Sequence, residues 1–204
     1  MKARFAHVVG IAGGTGSGKS WLAHFLKAAL GAGAALISQD WYYRDQSGAA
    51  DAGRLNFDHP RAFETGLLAA HLDKLRRGHP AQTPRYDFAT HARAARAVAL
   101  EPAPVLILEG LFVLHQKSIF NRLDDSVFVD VPADVRLMRR IRRDLAERSI
   151  PVDETLRLYE TFARPMHERF VQPSAANAGR VWHPLADRNF PRRFAGEIKE
   201  RFLS

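Results

Sequence analysis

The chain has 204 residues, 46% of them hydrophobic, which suits one domain with a sizeable core. Cysteine is absent, which excludes a disulfide framework, a zinc–thiolate site and a thiol nucleophile. Lysine and arginine number 30 against 22 Asp and Glu, and the net charge of +8 favours anionic partners: nucleic acid, a membrane surface or small phosphates.

The N-terminal "MKARFAHVVGIAGG" lacks the apolar h-region and cleavage site of a signal peptide. No run reaches the ~18 apolar residues of a membrane span. The expectation is a soluble cytoplasmic protein without a membrane partner. "HVVGIA" reads as a buried strand, Lys19 to Leu30 as a helix, and "AALISQ" as a second strand. A polar, glycine-containing loop follows. "PRAFETGLLAAHLDKLRRG" reads as a helix with Pro60 at its start and Gly78 at its end. "TPRYDFATHARAARAVAL" has strand-like ends around a polar turn, a hairpin over about residues 82–100. "VLILEG" and "VFVDVP" are short apolar runs bounded by turn signals, typical of parallel strands covered on both faces. Ala133 to Arg148 and Asp153 to Val171 read as helical, "GRVWHP" as a last strand and "FPRRFAGEIKERFL" as a closing helix. The alternation implies an α/β three-layer sandwich around a central parallel sheet, and no linker divides residues 1–204.

The first turn carries the strongest chemistry. Gly13, Gly14, Thr15, Gly16, Ser17, Gly18, Lys19 and Ser20 spell "GGTGSGKS", which fits G-x-x-x-x-G-K-[ST] between a strand and a helix. Glycines let the backbone turn several N–H groups inward as an anion nest, and the helix adds its positive end. Lys19 can reach the β- and γ-phosphates, and the Ser20 hydroxyl can ligate Mg²⁺. Trp21 reads as packing the helix onto its surroundings. The motif implies a nucleoside triphosphate but permits a small-molecule kinase, a GTPase switch or a nucleic-acid motor.

Two strand ends add carboxylates. Asp40 follows the second strand in "SQD", and Glu109 ends "VLILE". In a parallel sheet both lie at the edge that carries the phosphate loop. Beside a triphosphate they make a magnesium and base pair; either alone is equally a solvated acid or a helix cap. Asp58 stands just ahead of Pro60, where an N-cap is the competing reading.

The blocks "GIAGGTGSGKS", "ISQDWYYRD", "NFDHPRAF", "YDFATHAR", "VLILEGLFVL", "VFVDVPADVRLMRRIRRDLAER" and "YETFARPMHERFVQPS" resemble the uridine kinase branch of the uridine kinase and phosphoribulokinase-like P-loop kinases, in order and spacing, from about Val8 to Ala175. The resemblance implies a P-loop fold with a small hairpin insertion that binds nucleoside and an arginine-rich helical lid at about 133–152. It implies that Asp40 is the catalytic carboxylate, in touch with magnesium, and that Ser20 and Glu109 are metal ligands. Asp58 would bind the ribose hydroxyls; an ionised carboxylate accepts from a vicinal diol. Tyr43, Tyr86, Phe88, His91 and Leu111 would form the nucleoside pocket. Arg140, Arg143 and Arg148 would close over phosphates and substrate, since the guanidinium fork binds phosphate oxygens in pairs.

Along that helix Arg136, Arg140 and Arg143 share a face and Leu137, Ile141 and Leu145 form an adjacent apolar stripe. Arg136 and Arg139 read as surface. Ile150 stands where the family carries a basic residue, Leu158 where it often has glutamine, and "HPLADRNFPRR" replaces its C-terminal block. The implied activity is transfer of the γ-phosphate of ATP, with Mg²⁺, to the 5′-hydroxyl of uridine or cytidine by a homo-oligomer that binds no nucleic acid. A kinase of another small alcohol, nicotinamide riboside or pantothenate, would use "ISQD" and "ILEG" equally well. A nucleic-acid-stimulated ATPase would use the positive charge instead.

Overall fold

The computed structural model describes residues 6–46, 56–88 and 90–203. In chain order its main elements are β1 (His7–Gly13), α1 (Lys19–Leu30), β2 (Ala34–Ser38), α2 (Thr65–Arg76) and β3 (Ala81–Thr83). They continue with β4 (Tyr86–Asp87), β5 (Ala92–Arg93), β6 (Val98–Leu100), β7 (Val105–Glu109), α3 (Lys117–Phe120) and β8 (Asp125–Val129). The last are α4 (Ala133–Arg148), α5 (Val152–Leu158), α6 (Arg164–Met166), β9 (Arg180–Trp182) and α7 (Phe190–Phe202). A π turn, Tyr159–Ala163, joins α5 to α6, and a second, His167–Val171, continues the helical stretch beyond α6. Most of the polar loop expected after β2 lies outside the described residues.

A five-stranded sheet in the order β2-β7-β1-β8-β9 is parallel throughout. Alternation along β1 explains the three layers. Val8 and Ala12 join Leu106, Leu108, Leu68 and Leu72 on the face covered by α2. Val9 and Ile11 join Ile107, Leu22, Leu26, Phe194 and Ile198 on the face covered by α1 and α7. Since both faces are buried, the strands carry apolar residues at nearly every position. The parallel arrangement gathers the C-terminal ends of β1, β2 and β7 at one edge: Ser38 and Ile11 both stand opposite Glu109.

Two antiparallel pairs form in the region where a hairpin is expected. An outer pair joins β3 to β6, and an inner pair joins β4 to β5 through Tyr86 opposite Arg93.

Three readings need correction. The helix expected from Pro60 starts at Thr65. Pro60 opens a 3₁₀ turn, Pro60–Ala62, and Phe63 is extended and bridges to Tyr43. That turn is capped by His59, whose ring accepts from the Arg61 N–H, so Asp58 is not its cap. On α4, Leu145 of the apolar stripe is 55% exposed, while Arg136, Arg140 and Asp144 are buried. Arg136 is therefore no surface residue. Trp21 does pack, against Phe25 and Trp182, yet stays 57% exposed.

Candidate active site

The strand-to-helix turn after β1 is shaped by its glycines. Gly16 and Gly18 have φ of 75° and 96°, where a side chain is strained, and the Ser17 N–H closes a tight turn on the Gly14 carbonyl at 3.0 Å. A Cβ on Gly16 would also collide with the Arg136 carbonyl oxygen. Only glycine fits, and the backbone stays free to wrap an anion at the start of α1. Lys19 is largely buried and lines the cleft that opens here, beside Thr15.

Three chain segments meet at the sheet edge. The Ser20 hydroxyl donates to one oxygen of Glu109 at 3.0 Å. The Ser38 hydroxyl donates to the other, and itself accepts from the Asp40 N–H at 3.3 Å. Asp40 is thus tied to the phosphate-loop serine through Ser38 and Glu109. Burial, and next the neighbouring Glu109 charge, raise Asp40 to about 6, while Lys19, Arg148 and Arg143 pull it down. Such a carboxylate can accept a proton near neutral pH.

A hydroxyl and two carboxylates are oxygen donors of the kind Mg²⁺ prefers. Among the described residues no group of three or more acids or histidines could hold a metal by itself. The set fits an ion that phosphate oxygens complete.

The cleft, about 980 Å³, continues from Lys19 and Asp40 into an aromatic pocket. Tyr43 sits at its centre, with its ring 5.1 Å from Tyr86 and 5.7 Å from both Phe57 and Phe88. Phe57 stacks on His91 at 5.0 Å. His91 holds a positive φ of 52° at the hairpin turn, a conformation that costs a non-glycine residue about 1 kcal/mol. The Tyr86 hydroxyl and the His91 Nδ1 are buried without hydrogen-bond partners. Buried polar atoms normally have partners, so these two are equipped to meet a ligand's polar edge. Leu111 also lines the cleft.

Helix α4 roofs it. Arg140, Arg143 and Arg148 line the cleft and all approach the Asp144 carboxylate, Arg140 at 3.2 Å, Arg143 at 2.7 Å and Arg148 at 3.8 Å. Arg140 also stands 3.7 Å from Asp58, and the Arg148 guanidinium lies 4.4 Å over the Phe88 ring. Burial raises the Asp58 carboxyl above its ordinary value, and Arg140 opposes that rise.

The structure therefore brings Thr15, Lys19, Asp40, Tyr43, Asp58, Tyr86, Phe88, His91, Leu111 and the three arginines into one cleft. Ser20 and Glu109 stand at the sheet edge just outside its lining. Sequence reasoning missed Phe57 and Asp144. Phe57 lay in plain view beside Asp58, and Asp144 was hidden as one acid within a run of arginines.

Sheet topology and phosphate loop define the class: a P-loop fold, with its cleft between the sheet edge and α4. Residues 8–189 match the Phosphoribulokinase / Uridine kinase family, and the chain belongs to that family. It is 40% identical over 174 residues to a uridine kinase of Staphylococcus epidermidis, an alignment that covers 84% of either chain. It is 43% identical over 170 residues, and 82% of either chain, to a uridine kinase of Deinococcus deserti. Among solved structures, the phosphoribulokinase from Rhodobacter spheroides matches 86% of this chain and 68% of its own, with a TM-score of 0.61 at 15% identity, a likeness of fold.

Proposed function

We propose that this protein is an ATP-dependent uridine kinase, which transfers the γ-phosphate of ATP to the 5′-hydroxyl of a pyrimidine ribonucleoside. The observation that carries the reading is continuity. One cleft runs from the phosphate-loop Lys19, past Asp40, to an aromatic pocket with unpaired polar atoms on Tyr86 and His91. The curated relatives named uridine kinase support it.

In this reading the pocket rings hold the base, and Asp58 accepts from the ribose hydroxyls. That places the 5′-hydroxyl at Asp40, which orients it and takes its proton. Lys19 and the Arg140, Arg143 and Arg148 guanidinium groups offset the charge that develops on the transferred group. Ser20, Glu109 and Asp40 would hold Mg²⁺, which supplies charge neutralisation at the phosphates when bound. Residues 133–152 act as a lid that excludes water on closing, and residues 82–100 as the nucleoside-binding insertion of a single kinase domain. The proposal includes a homo-oligomer and a cytoplasmic place in pyrimidine salvage; no helix among the described residues is long and apolar enough to cross a membrane. The cleft-facing arginines speak against a nucleic-acid-stimulated ATPase, because they line the cleft rather than an outer face.

The test is a panel of alcohol acceptors with ATP and Mg²⁺, read by mass spectrometry. Uridine or cytidine should yield a monophosphate. A product from nicotinamide riboside or pantothenate, with none from a pyrimidine ribonucleoside, would overturn the reading.

A further inference from the structure

The phosphate loop has a second wall, on the side away from the cleft. Arg136, only 5% exposed, lies directly behind Gly14: a methyl group there would come to 2.6 Å from its Nη1 and 2.9 Å from the His167 Cε1. One guanidinium nitrogen, Nε, donates to the Val131 carbonyl at 3.0 Å. Nη1 is buried without any hydrogen-bond partner, and so is His167 Nδ1. The other ring nitrogen of His167 meets Gln172 Oε1 at 3.1 Å. Arg136 forms no ion pair with any described acid; burial lowers its guanidinium below the ordinary value, and the Asp130 charge opposes that. His167 stays neutral, since burial and the Arg136 charge lower it to about 4.

Burying a cation without a counter-charge is unfavourable, and packed apolar groups usually replace such a charge without loss of stability. The one built anion site near this cation is the loop in front of it. Arg136 is also fixed to that loop at a second point, where its own carbonyl packs on Gly16.

We propose that Arg136 is a positioning residue for the donor: an immobile cation behind the phosphate loop, whose missing counter-charge is the polyphosphate that the loop takes up, with neutral His167 completing the wall. The inference rests on the kinase reading. Arg136 does not touch the reacting atoms; it acts through the loop backbone and through its charge. In the free protein Asp130 offsets this charge only in part, and bound polyphosphate would offset the rest.

The test uses inorganic tripolyphosphate with magnesium and no nucleoside, so that binding is separated from turnover. Titration calorimetry gives the affinity, and thermal unfolding gives the Tm of the free protein. Arg136→Met should weaken tripolyphosphate on the order of ten- to a hundredfold while leaving the free protein's Tm unchanged or higher. Arg136→Lys, which keeps the charge, should bind within a few-fold of wild type. Unchanged affinity in Arg136→Met, with a lowered Tm, would make the residue a packing element and overturn the inference. Equal losses in the Met and Lys variants would overturn it too, because charge would then not be the cause. Failure of wild type to bind tripolyphosphate in competition with ATP would remove the phosphate-loop reading itself, and this inference with it.

Discussion

Arg143 grips its chain neighbour Asp144 through two guanidinium nitrogens, Nε at 3.0 Å and Nη2 at 2.7 Å. The carboxylate, 1% exposed, also takes Arg140 and, more loosely, Arg148. One acid thus holds the three arginines that line the cleft. Asp144→Asn should leave them mutually repelling. With Arg143 and Arg148 about one-third exposed and screened, the loss in stability should be about 2 kcal/mol, read by urea unfolding. KM for ATP should rise as well. A variant with wild-type stability and KM would show that the cations keep their places unaided.

Asp40→Asn should lower kcat by about 10² to 10⁴ and alter ATP affinity much less. A variant that kept kcat but lost ATP would make Asp40 chiefly a metal ligand.

Asp40 also sets a pH dependence. Its carboxyl is raised from 3.8 to about 6 in the folded chain, so the base form is lost and kcat falls as pH drops through about 6. Between those two values the folded state binds the proton that the unfolded state releases, so Asp40 costs stability as pH rises. Asp40→Asn should therefore gain stability over wild type above pH 6, and show no gain below pH 4. Equal Tm differences at both pH values would contradict the raised carboxyl.

Lys19→Ala should abolish most turnover in a folded protein, since the residue lines the cleft from the first turn of α1 and its loss removes charge stabilisation. Near-normal kinase activity with an intact circular dichroism spectrum would sink the phosphate-loop assignment.

The pocket makes a paired prediction. Wild type should prefer uridine over 2′-deoxyuridine by roughly ten- to a hundredfold in kcat/KM, because Asp58 would lose a donor. Asp58→Ala should erase most of that preference. His91→Ala should blur discrimination between uridine and cytidine and leave the ribose preference in place. Equal rates for ribo and deoxy substrates on wild type would remove Asp58 from the ribose.

The sheet and the phosphate loop were legible because the central strands β1 and β7 are buried on both faces and so read as nearly unbroken apolar runs. Glycine has its own signature wherever φ is positive, as at Gly16 and Gly18. Helix α4 was misread for the opposite reason. Hydropathy assumes that a helix buries its apolar side, whereas this one buries Arg136, Arg140 and Asp144 and leaves Leu145 out. No periodicity in hydropathy marks such a face. The false start at Pro60 has a local cause: the proline fits the first turn of a helix, but Phe63 is drawn into extended pairing with Tyr43, and α2 begins only beyond it. Phe57 and His91 meet across the cleft from segments far apart in sequence, a pairing that only the fold creates.

Arg139 and Arg140 are adjacent in α4 but reach different partners. Arg139 Nη1 donates to the Gly16 and Ser17 carbonyls at 3.3 and 3.4 Å, and Arg140 stands beside Asp58. A rigid helix cannot settle against one without moving at the other. If ATP and uridine bind as proposed, they should then be thermodynamically linked: whatever factor ATP adds to the affinity for uridine, uridine adds to the affinity for a non-hydrolysable ATP analogue. Calorimetry in both orders measures that factor, and a value of one would mean that α4 transmits nothing. Arg139→Ala should bring the factor toward one while each ligand still binds alone, making a pair of neighbouring side chains the seat of heterotropic cooperativity.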